Sequence, residues 1–139
     1  MILIIRISGL VDVSSDVNEA LFRMRLRKKY TAVVLHDNVT NRHLLKKVRN
    51  YVAFGTITKE DLTMLIEKRG LPVDKKKKID VKKAVEGFEK SSLLDLGVKP
   101  FFRLHPARGG IDTKIHYPIR KGVLGDHKDK INELMRRML

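Results

Sequence analysis

Arginine and lysine side chains are concentrated in three short stretches of this chain, and they are the residues best suited to binding phosphate. The first stretch, residues 23–29, contributes the candidates Arg23, Arg25, Arg27, Lys28 and Lys29. One or two cations would suffice to stabilise a helix C-terminus through the helix dipole. Five cations within seven residues therefore favour an edge that contacts a phosphate backbone.

The second stretch, residues 41–50, contains no acidic residue at all. Its candidate phosphate contacts are Arg42, Lys46 and Lys47. An ordinary solvated helix face explains these residues equally well, because the outer surfaces of helices are usually charged. A further run of four lysines, Lys75 to Lys78, is flanked by acids. We interpret this run first as a solvated connector and second as a phosphate contact.

The third stretch is FFRLHPARGG, residues 101–110. Arg103 and Arg108 carry planar guanidinium groups that suit phosphates or stacked bases, and His105 lies between them. Burial favours at least one of the two phenylalanines in the core, while the other could stack on an exposed base. Proline and the glycine pair cannot continue a strand. We predict a short strand ending in a cationic loop that fits a shaped RNA surface; DNA satisfies the same argument.

The composition also points to a polyanionic partner. The 139 residues include 30 Lys and Arg against 16 Asp and Glu, which gives a net charge of +14. Solubility alone asks for a net charge of about 2–8 in a small domain. Residues 98–139 carry the largest share of the excess, +6. A nucleic acid explains this balance better than a membrane surface, and no membrane partner is expected.

The sequence offers little that could perform catalysis. It lacks cysteine, which excludes disulfides, zinc fingers and thiol nucleophiles and fits a reducing cytoplasm. Its five histidines have no metal-ligand spacing, and no phosphate-loop or dinucleotide motif is present. We expect no metal, cofactor or small-molecule substrate. Two alternatives stay open: an independent RNA-binding regulator, and an RNA-directed enzyme that uses an acidic residue or a histidine, which single mutations of His36, His43 and His105 would test.

Hydrophobic periodicity predicts an α/β chain. The N-terminal residues 2–8 are too short and too charged for a signal peptide or membrane span, and they read as a strand buried on both sides. A helix capped by Asp16 follows and extends through residues 23–29. A strand at 31–35, a helix capped by Thr40 and a strand at 52–57 complete a β-α-β-α-β unit, whose right-handed crossovers would place both helices on one face.

A different composition begins after Thr58. We predict helices beginning near Thr58 and Asp80, a strand at 114–119, a glycine-rich turn at 121–125, and a final helix from Asp126. The apolar positions of that last helix are Ile131, Leu134, Met135 and Met138. We therefore divide the chain into a core, residues 1–57, and an extension, residues 58–139.

The order of these elements resembles a known family. The segments RISGLVDVSSDVNEALFRMRLRKKYTAVVL, LLKKVRNYVAFGTI, FFRLHPARGG, KGVLG and INELMRRM are similar to those of archaeal large-subunit ribosomal protein thirty, whose eukaryotic counterpart is large-subunit protein seven. The resemblance covers nearly the whole chain. The R-L-H-P and G-x-L-G pieces are its more specific parts.

The resemblance implies a ferredoxin-like α+β core with a helical and C-terminal extension. It further implies a non-enzymatic constituent of the large ribosomal subunit in the cytoplasm, held against the large-subunit ribosomal RNA and neighbouring ribosomal proteins. It leaves 5S ribosomal RNA open as a second RNA partner. Carried over to this chain, the expected RNA contacts are the three cation groups named above together with Lys121.

Overall fold

The computed structural model describes residues 1–74, 79–88, 90–111 and 113–139. Its strands are β1 (Ile2–Arg6), β2 (Thr31–Leu35), β3 (Val52–Thr56), β4 (Phe102–Arg103), β5 (Thr113–His116) and β6 (Gly122–Asp126). Its helices are α1 (Ser15–Arg23), α2 (Val39–Val48), α3 (Lys59–Arg69), α4 (Val81–Gly87) and α5 (Ile131–Met138). The predicted α+β fold class is confirmed.

All six strands form one sheet in the order β4-β2-β1-β3-β6-β5. β1 is central and pairs antiparallel with both β2 and β3. β2 and β3 therefore run parallel to each other on either side of β1, and within residues 1–57 the crossover rule for parallel strands applies to the β2-α2-β3 unit and not to β1-α1-β2. β6 joins β3 in parallel, and β4 joins β2 in antiparallel fashion.

The sheet is covered on both faces, which explains why the first four residues of β1, Ile2 to Ile5, are all apolar. Leu3 and Ile5 point into a core built with α3, α4 and α5, while Ile2 and Ile4 point into a second core under α1 and α2. The expectation that α1 and α2 share one face is confirmed, as is the burial of β1 on both sides.

The extension supplies the helices of the first core and ties them together. Thr58 caps α3 by accepting a hydrogen bond from the backbone N–H of Asp61, as the sequence predicts. The Asp61 carboxylate is buried and accepts two hydrogen bonds from Arg136 of α5, at 2.7 and 3.1 Å. The four predicted apolar positions of α5 are all buried. This pair thus fixes α5 against the start of α3.

Four local predictions are wrong. Ser14 and Asn38, rather than Asp16 and Thr40, precede the first turns of α1 and α2. The glycine-rich segment predicted as a turn is strand β6. Gly122 is needed there because a Cβ at this position would overlap the backbone of β5, and glycine in a strand often marks such close approach. The last helix begins at Ile131, after a 3₁₀ turn at Lys128–Lys130.

The lysine run at positions 75–78, interpreted above as a connector, lies outside the described residues. Within the described part of the chain, no helix combines the length and the apolar character that crossing a membrane requires.

Candidate nucleic-acid interface

The cations at residues 23–29 lie mostly in a loop and not on a helix, which corrects the expectation from the sequence. α1 ends at Arg23 and the chain turns back at Arg25, which has a φ of 61°. Arg25 N–H donates to the Phe22 carbonyl (2.9 Å) and Leu26 N–H donates to the Leu21 carbonyl (2.8 Å). These two bonds define a Schellman ending, in which glycine usually occupies the left-handed position. Here an arginine occupies it.

Arg6 holds this loop against the sheet. Its side chain is fully buried at the end of β1 and donates to three carbonyl oxygens: Leu26 (2.7 Å), Gly9 (2.7 Å) and Ser8 (3.0 Å). Burial lowers the pKa of the Arg6 guanidinium below its ordinary value. The three carbonyls partly offset the cost of burying the charge. Arg6 therefore positions the cationic loop without reaching solvent itself.

The short strand β4 brings the third cationic stretch to the same place. Arg103 pairs with Thr31 in the β2–β4 register, and Leu104 N–H donates to the Tyr30 carbonyl (2.9 Å). Phe102 is fully buried, which confirms that one phenylalanine of this stretch belongs to the core. Phe101 is half-buried against the α1/α2 core. Arg103 is exposed beside the end of the loop.

The two segments enclose an open cleft of about 530 Å³, here called the arginine cleft. Its lining residues are Phe22, Arg23, Arg25, Arg27, Lys28, Thr31, Phe101 and Arg103. Five of the eight are cations, and two of the others are aromatic. The structure thus joins residues that are about 75 positions apart in sequence into one basic surface with aromatic walls.

Charge pairing within the arginine cleft is sparse. Arg23 binds Glu19 at 2.5 Å, and both side chains are largely exposed, so this pair is weak. Among the described residues, no carboxylate pairs with Arg25, Lys28 or Arg103. The Arg27 guanidinium lies 5.5 Å from the centre of the Phe22 ring, and the Lys29 ammonium lies 4.7 Å from that of Tyr30. The cleft therefore has a positive electrostatic potential that would attract phosphate groups.

The cations of α2 occupy a separate surface. Arg42 is not unpaired, as the acid-free sequence of residues 41–50 suggested, because Asp37 just before the helix accepts two hydrogen bonds from it, at 2.5 and 2.6 Å. These bonds lower the pKa of Asp37 and raise that of Arg42. Lys46 and Lys47 are exposed on the same helix. Arg42 and Lys46 line a groove against Phe54 and the end of β3.

The remainder of the 101–110 stretch docks on the C-terminal end of α5. His105 N–H donates to the Met138 carbonyl and Arg108 N–H donates to the Arg137 carbonyl, both at 2.9 Å. Arg137 returns two hydrogen bonds, to the carbonyls of Arg108 (2.9 Å) and Gly110 (2.6 Å). The side chains of His105 and Arg108 are exposed. Arg137, which the sequence reasoning did not single out, is the residue that shapes this loop.

Lys121 lies at the opposite edge of the sheet from Arg103. It lines a second cleft, of about 590 Å³, together with Tyr117, Lys130 and Arg137. Lys130 lies over the Tyr117 ring at 5.8 Å, and its interaction with the Tyr117 side chain raises the Lys130 pKa. The predicted contact residues thus form several surfaces, of which the arginine cleft gathers the most cations.

The sequence reasoning missed Phe22, which lines the arginine cleft, and Arg6, which holds the cationic loop from behind it. Phe22 is 45% exposed, which is unusual for an aromatic side chain on an amphipathic helix. Its position among arginines, one residue after the buried Leu21, is the signal that could have revealed it. Arg6 interrupts an apolar strand, and a charge inside a two-sided buried strand requires a partner.

Within the described ranges, no group of three or more His, Asp and Glu side chains is arranged to hold a metal ion.

Comparison with known proteins identifies the family of this chain. The family model described as "Ribosomal protein L30p/L7e" matches residues 2–52. The large ribosomal subunit protein uL30 of Archaeoglobus fulgidus is 39% identical, with 99% of each chain aligned. The chain belongs to the uL30 family.

Other relatives extend the match over the whole length. The uL30 proteins of Aeropyrum pernix and Methanococcus maripaludis are 38% and 33% identical, and each covers 98% of this chain. These relatives are named as large ribosomal subunit proteins, and none of those names describes an enzyme. The family resemblance inferred from the sequence is confirmed, including the part of the chain beyond residue 52.

Proposed function

We propose that this chain is a structural constituent of the large ribosomal subunit and binds ribosomal RNA chiefly through the arginine cleft. Membership of the uL30 family supports the first half of the proposal. The observation that carries the second half is the convergence of two distant basic segments, largely without acids, around Phe22 and Phe101. The family assignment supports a non-enzymatic role.

The remaining predicted contacts complete the proposed footprint. We assign supporting phosphate contacts to Lys29, to Lys46 and Lys47 on α2, to His105 and Arg108 on the docked loop, and to Lys121. Arg42 joins them only if RNA displaces Asp37. Large-subunit ribosomal RNA is the proposed main partner, with neighbouring ribosomal proteins beside it and 5S ribosomal RNA as a second RNA to test. The proposed location is the cytoplasmic ribosome.

Residues 1–57 remain the proposed RNA-binding core and residues 58–139 the extension. In this division the extension contributes directly to binding, because it supplies Phe101 and Arg103 to the arginine cleft. The same segment closes the first core through α3, α4 and α5.

A salt titration with matched variants tests the proposal. The full chain is bound to deproteinised large-subunit ribosomal RNA from the same cells, and log K is plotted against log salt. Replacing Arg25 and Arg103 by alanine should reduce the steepness of this plot by about 0.7–0.9 for each lost phosphate contact. Lys90→Ala, which removes an exposed cation outside the cleft, should leave both affinity and slope close to wild type. A wild-type plot that does not depend on salt would contradict the proposal.

A further inference from the structure

Phe22 is an exposed aromatic ring that the fold does not use. It occupies the penultimate position of α1, next to Leu21, which is fully buried. The Phe22 side chain is 45% exposed, and exposing its apolar surface to water is unfavourable, whereas a polar residue at the same helix position would avoid this cost. The ring is also the apolar centre of a cleft whose other lining residues are mainly cations. Such a ring in a basic cleft suits a ligand with a flat face and a negative charge.

The surroundings of Phe22 fit a nucleotide in particular. The Arg27 guanidinium lies over the Phe22 ring, 5.5 Å from its centre, so a cation–π contact already exists beside the surface that a base would use. Phe101 lines the same cleft and supplies a second apolar wall. The volume of about 530 Å³ lies within the range of about 300–1,000 Å³ that is typical of small-ligand pockets.

Phosphate groups on either side of such a base would also find partners. Arg25 lies at the turn after α1 and Arg103 on β4, so cations flank the cleft from both contributing segments. Neither residue has a carboxylate partner among the described residues. A base-paired helix would present its phosphates, 2′-hydroxyls and base edges to this surface but no open base face, because its bases are stacked on one another. An unpaired nucleotide satisfies both the ring and the cations.

We propose that the arginine cleft binds one unpaired RNA nucleotide, whose base stacks on the Phe22–Arg27 pair while Arg25 and Arg103 hold its flanking phosphates. This inference rests on the proposed RNA-binding function and adds a base-binding pocket to it. A stacked base contributes a part of the affinity that salt does not screen, whereas the cations contribute the salt-dependent part.

The test separates these two parts. Phe22→Leu keeps an apolar side chain but removes the aromatic face, and Phe22→Tyr keeps that face. In salt titrations with deproteinised large-subunit ribosomal RNA, Phe22→Leu should bind roughly 5- to 100-fold more weakly at every salt concentration, with an unchanged slope. Phe22→Tyr should bind like wild type. Leu94→Ala is the matched control, because Leu94 is also 45% exposed but lies outside the cleft.

A second readout identifies the nucleotide. Wild type should protect at least one unpaired base from dimethyl sulfate, and Phe22→Leu should lose that protection while hydroxyl-radical protection of the backbone persists. Salt-dependent binding of wild type with no effect of Phe22→Leu would overturn the base pocket and leave the proposed function standing. An effect of Phe22→Leu confined to assembly with other ribosomal proteins would assign Phe22 to a protein contact and also overturn it. Absence of RNA binding by wild type would overturn the proposed function and, with it, the pocket.

Discussion

Arg25 combines a backbone conformation that disfavours it with a position that favours RNA binding, so its replacement should separate stability from function. A non-glycine residue in the left-handed region costs about 1–2 kcal/mol. Glycine there removes this cost but adds about 0.5–1 kcal/mol of chain entropy to the unfolded state. Arg25→Gly should therefore raise the free energy of unfolding by about 0.5–1 kcal/mol and the Tm by about 2–4 °C.

The same substitution should weaken RNA binding. Arg25 has no carboxylate partner among the described residues and lines the arginine cleft, so losing it removes one phosphate contact. The salt dependence of log K should become shallower by about 0.7–0.9. Arg25→Ala is the matched variant: it should lose the same RNA contact while gaining none of the stability, because alanine keeps the strained conformation.

The measurements are urea unfolding followed by circular dichroism and a salt titration with large-subunit ribosomal RNA. Asp12→Gly provides a second control, because Asp12 also has a positive φ of 57° but lies outside the cleft. It should be stabilised without any change in RNA affinity. If Arg25→Gly binds RNA as wild type does, Arg25 is not a contact. If it is no more stable than Arg25→Ala, the argument from backbone strain is wrong.

Three further predictions concern the framework around the arginine cleft. Arg6→Met leaves the Leu26, Gly9 and Ser8 carbonyls without their donor, so it should lower the free energy of unfolding in urea by about 2–4 kcal/mol. It should also weaken RNA binding even under conditions where the variant is fully folded. RNA affinity equal to wild type in the folded variant would show that Arg6 does not position the loop. Gly55→Ala would press a Cβ against the Lys128 carbonyl and Ile131 and should lower the free energy of unfolding by about 1–3 kcal/mol. In Gly9→Ala the new Cβ meets no atom within 4 Å, so this variant should be as stable as wild type or slightly more stable. Equal thermal stability of the two variants would contradict this prediction. Burial lowers the pKa of His127 in the folded chain, so the unfolded chain binds a proton more readily and stability should fall as pH drops through about 6.5. His127→Phe should lose that part of the pH dependence of Tm, measured between pH 5 and 8. A pH profile identical to that of wild type would contradict this prediction.

The sequence predicts the central strands well because their physical signals are local. β2 appears at its predicted residues, since a run of β-branched and apolar residues between turn residues has few alternatives. The predictions that Thr58 and Asp80 cap helices are confirmed. Each side chain accepts a hydrogen bond from the backbone N–H three residues later, and this short-range pattern can be recognised in the sequence.

The errors arise where tertiary packing decides the local structure. No glycine marks the end of α1, and the left-handed turn at Arg25 is fixed instead by the buried Leu26 and by Arg6 from a distant strand. The glycines of β6 resemble a turn because the close approach of β5, which requires Gly122, cannot be read locally. Asp37 lies outside the acid-free window of residues 41–50, so its pairing with Arg42 was overlooked.

The arginine cleft was only half predictable. The cations of both segments are evident from the sequence, but their meeting depends on the pairing of Arg103 with Thr31 across the edge of the sheet. That pairing joins residues far apart in the chain, and no short-range pattern specifies it. The place of Phe22 in the lining of the cleft can be recognised only once the two segments are known to lie side by side.

Sedimentation of the tagged full chain from gently lysed cells, through sucrose gradients at moderate and high salt, tests the central claim most directly. We expect the wild-type chain to migrate with the large ribosomal subunit in both gradients, and the Arg25→Ala, Arg103→Ala double variant to be released at high salt. Migration of the wild-type chain at the top of both gradients would contradict its assignment to the ribosome and favour an independent RNA-binding protein.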